Sequence, residues 1–167
     1  MAFRSRGLRI FRREDATDLA DTKLMSAPVM DPMPERAVLK EVGSPSGYLN
    51  KVLFGDPDQG GMSLIRLWYA PYYALPRHSH DVDCLYYVVA GEAHLGSQTV
   101  KAGDGFFVPA SAPYAYSAGP EGVEVLEFRA ESSFGIHVTE SPERWTQLAD
   151  IARTHRQEWE ALGSTVR

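Results

Sequence analysis

The chain has 167 residues, 17 Lys and Arg against 22 Asp and Glu, and a net charge of −5 at neutral pH. That length suits one domain with one sizeable core, and the acidic balance argues against nucleic-acid binding, whose usual footprint is a basic surface. Cys84 is the single cysteine, so no intrachain disulfide forms, and no stretch approaches the ~20 apolar residues of a membrane span.

The first 36 residues read as an N-terminal arm and loop region. Arg4, Arg6, Arg9, Arg12 and Arg13 make its start basic, and Pro28, Pro32 and Pro34 interrupt its second half. The start carries no apolar h-region, so no signal peptide is expected. With one free thiol, the expected compartment is the reducing cytoplasm. From residue 37 to 138 the pattern is short β-branched or aromatic runs separated by Gly, Pro, Asn, Asp and Ser. They begin with AVLKEV, YLNKVLFG and MSLIRLWYA and end with VEVLEF, and this is a strand-and-turn signature. Strands at this short spacing predict an all-β fold that closes or doubles its sheet. Residues 139–167 change period. Ser141 is a candidate N-cap, Pro142 suits the first helical position, and Trp145, Leu148, Ile151 and Ala152 recur near helical spacing. A helix is expected over 142–161, with Gly163 able to end it.

Two stretches carry the chemistry. In PRHSHDVDCLYYVVAGE, His78 and His80 are one residue apart, and side chains two apart on a strand share a face. Both imidazoles can then reach one ion, at about 2.0–2.1 Å if it is zinc. Cys84 follows four residues after His80, and a thiolate suits Zn, Cu or Fe, whereas a protonated thiol packs as a small hydrophobe. The second stretch is KAGDGFFVPASAPYAYSAG, in which Tyr114 can serve as a ligand, a proton donor or a packed ring.

The order of these parts resembles the cupin family of small β-barrels over roughly residues 62–129. The first cupin motif, G-x5-H-x-H, three or four residues, E-x6-G, falls on Tyr72, His78, His80, Cys84 and Gly91. The second, G-x5-P-x-G-x2-H-x3-N, falls on Gly103, Pro109, Ser111, Tyr114 and Ala118. The histidine pair, the glycines Gly91 and Gly103 and the proline match. Cys84 stands for Glu, Tyr114 for the last His, Ala118 for Asn, and Tyr72 and Ser111 for glycines.

The resemblance implies a single antiparallel jelly-roll β-barrel with a C-terminal α-helix. It implies a divalent transition metal on His78, His80, Cys84 and Tyr114, with Zn, Fe or Cu favoured over Mn or Ni. Tyr114 is then the candidate catalytic residue of a metal-dependent oxidoreductase of dioxygenase type, a lyase or an isomerase. Arg77, Tyr86 and Tyr116 are the expected pocket residues for a small organic, aromatic or carbonyl-bearing substrate. The alternatives are a metal-free small-molecule-binding module and a barrel that acts mainly in assembly. A homodimer is expected, through the LRIF run of the arm and the helix around Trp145 and Trp159.

Overall fold

The computed structural model describes residues 7–43 and 45–166. In chain order the regular elements are β1 (Thr17–Asp18), β2 (Val29–Met30), α1 (Arg36–Val42), β3 (Tyr48–Phe54), β4 (Ser63–Tyr69) and β5 (His78–His80). Then come β6 (Cys84–Leu95), β7 (Gln98–Lys101), β8 (Gly105–Val108), β9 (Ser117–Arg129), β10 (Ile136–Val138) and α2 (Pro142–Val166). The main sheet runs β1-β3-β4-β9-β6-β7, with β8 also paired to β6. The small sheet runs β2-β10-β5, with β10 antiparallel to β5 and parallel to β2. The fold is therefore the expected jelly-roll class, built as two facing sheets rather than one closed hydrogen-bonded barrel.

Period-2 alternation sets the inner face. On β6, Cys84, Tyr86 and Val88 are buried while Leu85, Tyr87 and Val89 are exposed. On β9, Val123, Val125, Glu127 and Arg129 all lie inside. At the tail, Ser141 caps α2: its Oγ accepts from Arg144 N at 3.1 Å, satisfying a free donor of the first turn. Trp145, Leu148, Ala149, Ala152 and Trp159 form its buried stripe, and Trp159 Nε1 donates to Pro71 O at 2.9 Å.

Three expectations need correction. AVLKEV is not a strand: residues 36–42 form α1, because Ala, Leu, Lys and Glu favour helix and Val38, Leu39 and Val42 pack against the Trp145–Leu148 cluster. The first 36 residues are not only a covering loop, since β1 extends the main sheet and β2 the small one. Gly163 does not end α2, which runs to Val166. It is buried instead, and a Cβ there would sit 3.1 Å from Ser46 O, so glycine serves close packing.

The motif turns hold a left-handed backbone whether or not they hold glycine. Gly91 and Gly103 have φ of 71° and 95°, and the substituted positions Tyr72 and Ser111 have φ of 63° and 65°. The turn geometry outlasts the glycine at two of its four positions, at a cost of roughly 1–2 kcal/mol per non-glycine residue. Tyr72 gains a ring contact there, stacking on His155 with centroids 5.1 Å apart.

Candidate functional site

A cavity of about 260 Å³ lies between the sheets. Leu39, Leu67, Leu75, Ile136 and Val138 contribute an apolar wall, and His78, His80, Tyr86, Tyr114, Glu127 and Arg129 form its polar part.

Each histidine is oriented by a backbone carbonyl. His78 Nδ1 lies 2.8 Å from Pro76 O, and His80 Nδ1 lies 2.7 Å from Gly135 O. A carbonyl has no proton to give, so each Nδ1 carries the hydrogen and each Nε2 keeps its lone pair. Burial pushes both pKa values down, and for His80 the Arg129 charge adds to it, taking the ring to about 4. Both rings are neutral acceptors at physiological pH. They stand edge to face, with centroids 5.2 Å apart.

Tyr114 reaches the pair from the loop before β9. It exchanges backbone hydrogen bonds with His78, and its hydroxyl hydrogen-bonds the Tyr86 hydroxyl. Burial, then the Glu127 charge, holds the Tyr114 phenol well above the ordinary tyrosine range. It is a neutral hydrogen-bonding group, not a phenolate. The Tyr86 ring stacks on Phe106 at 4.4 Å, which fixes its orientation.

Glu127 and Arg129 are the two charged residues that motif reasoning did not single out. Arg129 Nη2 donates to Glu127 Oε1 at 2.7 Å, and the guanidinium lies over the Phe134 ring at 3.9 Å. Burial alone would raise the Glu127 carboxyl, but the Arg129 charge and hydrogen bond reverse this and hold it below its ordinary value. The pair is thus ionised and internally neutralised. The sequence did hold a signal for it: in VEVLEFR both residues share the parity of the inward Val123 and Val125.

Of the expected ligand set, His78, His80 and Tyr114 line the cavity and Cys84 does not. Among the described residues no three of His, Cys, Asp and Glu stand together as a metal-holding group. Cys84 is buried beside Tyr86 and Glu127, and its thiol is pushed up to about 12 by burial and by Glu127, so it stays protonated. Glu127 is already paired, and Arg129 places a fixed cation beside the histidines. Two neutral imidazoles next to a buried guanidinium do not fit a resident divalent ion, which needs anionic or further neutral donors and satisfied ligands around it.

Of the expected pocket residues, Tyr86 and Tyr116 line the cavity, but Arg77 does not. Alternation turns Arg77 outward from His78, where its N–H donates to Glu140 Oε2 at 2.9 Å and its Nε to Thr139 O at 3.3 Å. Asp81 and Asp83 are exposed and brace loops, accepting from Gly135 N at 2.6 Å and Ala110 N at 2.8 Å. His137 faces outward on β10, and His94 pairs with Glu92 at 2.9 Å. Asn50 Oδ1, Trp145 Nε1 and two Arg129 nitrogens are buried with no hydrogen-bond partner among the described residues, and all belong to residues that line the cavity.

No protein-family profile and no curated protein matches the sequence. Solved structures do. An RmlC-like cupin protein from Ralstonia eutropha JMP134 aligns with a TM-score of 0.55 at 17% identity, over 78% of this chain and 73% of that one. The fold is that of the RmlC-like cupins. An RmlC-like cupin from Shewanella frigidimarina aligns with a TM-score of 0.46 at 22% identity, over 53% of this chain and 78% of that one. Oxalate decarboxylase from Bacillus subtilis aligns with a TM-score of 0.46 at 19% identity, over 53% of this chain but 27% of its own. The match thus spans about a quarter of that protein's length. Among the described residues, no helix is long and apolar enough to cross a membrane.

Proposed function

We propose that the chain is a small-molecule-binding cupin module that works without a resident metal. The observation that carries this reading is the cavity of about 260 Å³ with an apolar wall and a neutral polar end. Two imidazole Nε2 atoms offer acceptors and the Tyr86–Tyr114 hydroxyl pair can donate. This set suits a ligand with an apolar, aromatic or aliphatic body and one hydroxyl or carbonyl head. The cavity is smaller than the ~300–1,000 Å³ of drug-sized pockets, which keeps the ligand small. The unpartnered polar atoms of Asn50 and Trp145 add support, because buried polar groups are normally satisfied by something.

The test uses untagged full-length protein. A panel of small phenols, aromatic aldehydes and medium-chain alcohols is screened by thermal shift and ligand-observed NMR. A binder at a hundred times its Kd raises Tm by about 5–10 °C for a chain of this size. Tyr114→Phe and His80→Ala weaken it about tenfold, the loss of one hydrogen bond. Metal analysis of the same preparation is the counter-test. Stoichiometric Zn, Fe or Cu that leaves on replacing both His78 and His80 with Ala, together with no binder in the panel, overturns the proposal and restores the metal-dependent reading.

A further inference from the structure

The cavity leaves both donors and acceptors open. Arg129 uses Nη2 on Glu127, whereas its Nε and Nη1 have no hydrogen-bond partner among the described residues. Its side chain is 1% exposed, so these N–H groups do not reach bulk solvent. Nε carries one hydrogen and Nη1 two, so most of the guanidinium's donors lack an acceptor. Acceptors lack donors as well. His78 and His80 keep their Nε2 lone pairs, because each Nδ1 donates to a carbonyl. Asn50 Oδ1 is buried with no partner among the described residues.

The two kinds of group stand close together. The guanidinium carbon of Arg129 lies 3.9 Å from the centre of the Phe134 ring, and the His80 ring meets that same ring edge to face at 5.6 Å. Arg129 and His80 thus flank one side chain, and all three residues line the cavity. Trp145 adds an open donor from α2, its Nε1. This indole was expected, with Trp159, at a partner contact. Both are instead buried within the chain, at 3% and 2% exposure, and are not available to a partner.

We infer that the ligand of this cavity carries a primary carboxamide head, its oxygen accepting from Arg129 and its amino group donating to the imidazole Nε2 atoms. The inference rests on the reading of the chain as a small-molecule-binding module and narrows the carbonyl head to one class. A carboxamide has an oxygen with two lone pairs and a nitrogen with two N–H donors, both on one carbon. The first matches the Nε and Nη1 of Arg129, the second the pair of imidazoles. A buried polar group left unmatched costs more than a made bond gains, and a charged one costs most. An aldehyde accepts from Arg129 but gives the imidazoles nothing. A hydroxyl has one hydrogen for two imidazoles. A carboxylate suits a guanidinium, yet Arg129 is already neutralised by Glu127. It would bring an unbalanced charge into a desolvated site and no donor for the imidazoles.

Isothermal titration calorimetry of the untagged full chain at neutral pH tests the inference. The probes are benzamide, benzaldehyde, benzyl alcohol and benzoate, with the matching pentanamide, pentanal, pentanol and pentanoate for an aliphatic body. Within a series the amide is expected to bind at least about tenfold tighter than the other heads, the value of one buried hydrogen bond. Arg129→Lys keeps a cation for Glu127 but removes the planar fork, and it removes most of the amide's advantage over the alcohol. A second readout needs no variant to fold. In a nitrogen–proton correlation spectrum of the wild type, the amide shifts the Arg129 Nε–H resonance and leaves that of Arg66, which is paired with Glu124 and does not line the cavity. An amide that binds no tighter than the aldehyde, alcohol or acid of its own series overturns the inference while the binding-module reading stands, as does an Arg129 resonance that stays in place. If no member of either series and none of the wider panel binds, that reading falls and the inference with it.

Discussion

His78 and Tyr114 exchange both backbone hydrogen bonds, each 2.9 Å, and hold their rings 4.4 Å apart. This isolated bridge ties the loop of the second motif to the histidine strand of the first. It brings the Tyr114 hydroxyl to Tyr86 on β6 and closes the polar end of the cavity. One register therefore connects three segments far apart in sequence.

The buried histidines make stability depend on acid. His80 titrates at about 4 in the folded chain against 6.5 when unfolded, and His78 is shifted in the same direction. Between those values the unfolded chain holds a proton that the folded chain does not. Stability therefore falls as pH drops from about 6.5 to about 4, by about 3 kcal/mol for His80. Glu127, held below its ordinary value, adds a loss of the same sign at lower pH. Urea midpoints measured across this window should decline, and His80→Gln should flatten the decline. A midpoint that stays level in the wild type would contradict the burial argument.

The Glu127–Arg129 pair should show strong coupling. Arg129→Leu leaves a buried carboxylate without its cation and is expected to cost about 3–5 kcal/mol. Replacing both residues with Leu removes the uncompensated charge and should recover much of that loss. A double-mutant cycle by chemical denaturation measures the difference. Additive single losses would mean that the 2.7 Å contact carries no net interaction.

Backbone geometry separates two motif positions. Ser111 holds φ of 65° with a Cβ, so Ser111→Gly should stabilise the fold by about 0.5–1 kcal/mol, the relief of left-handed strain less glycine's added freedom when unfolded. Gly91→Ala should do the reverse and more. At φ 71° its Cβ would fall 2.1 Å from the Gly122 carbonyl oxygen, so the backbone of β9 must move. A loss above about 2 kcal/mol is expected. Thermal denaturation of both variants checks the two signs together.

The indole of α2 should be a measurable anchor. Trp159→Phe removes the donor to Pro71 O and leaves that carbonyl without its buried partner. About 1–2 kcal/mol of stability should be lost. Circular dichroism melts of the variant should show a lower Tm with unchanged secondary structure below it, and an unchanged Tm would place the anchoring in the ring contacts with Tyr73 and His155 instead.

Much of the architecture was legible in the chain, because local physics sets it. Alternation on β6 separates Cys84, Tyr86 and Val88 from Leu85, Tyr87 and Val89, and the same rule turns His78 and His80 inward together. Ser141 and Pro142 mark the start of α2 by capping chemistry alone. Where a local pattern was ambiguous, the tertiary structure decided. AVLKEV has apolar residues compatible with either period, and packing of Val38, Leu39 and Val42 on α2 makes it a helix. The chemistry of the cavity also lay beyond local reading, because a side chain's charge state depends on neighbours that the sequence does not place. Arg129 and Glu127 are neighbours on one face of β9, but they meet the two histidines only once the main sheet packs across from β5. That packing supplies a fixed cation beside the histidine pair and leaves Cys84 a buried thiol. By itself the sequence determined the frame and the inward histidines. The tertiary structure determined that they face an apolar-walled cavity as neutral acceptors beside the Glu127–Arg129 pair, because Coulomb interaction and desolvation act through space.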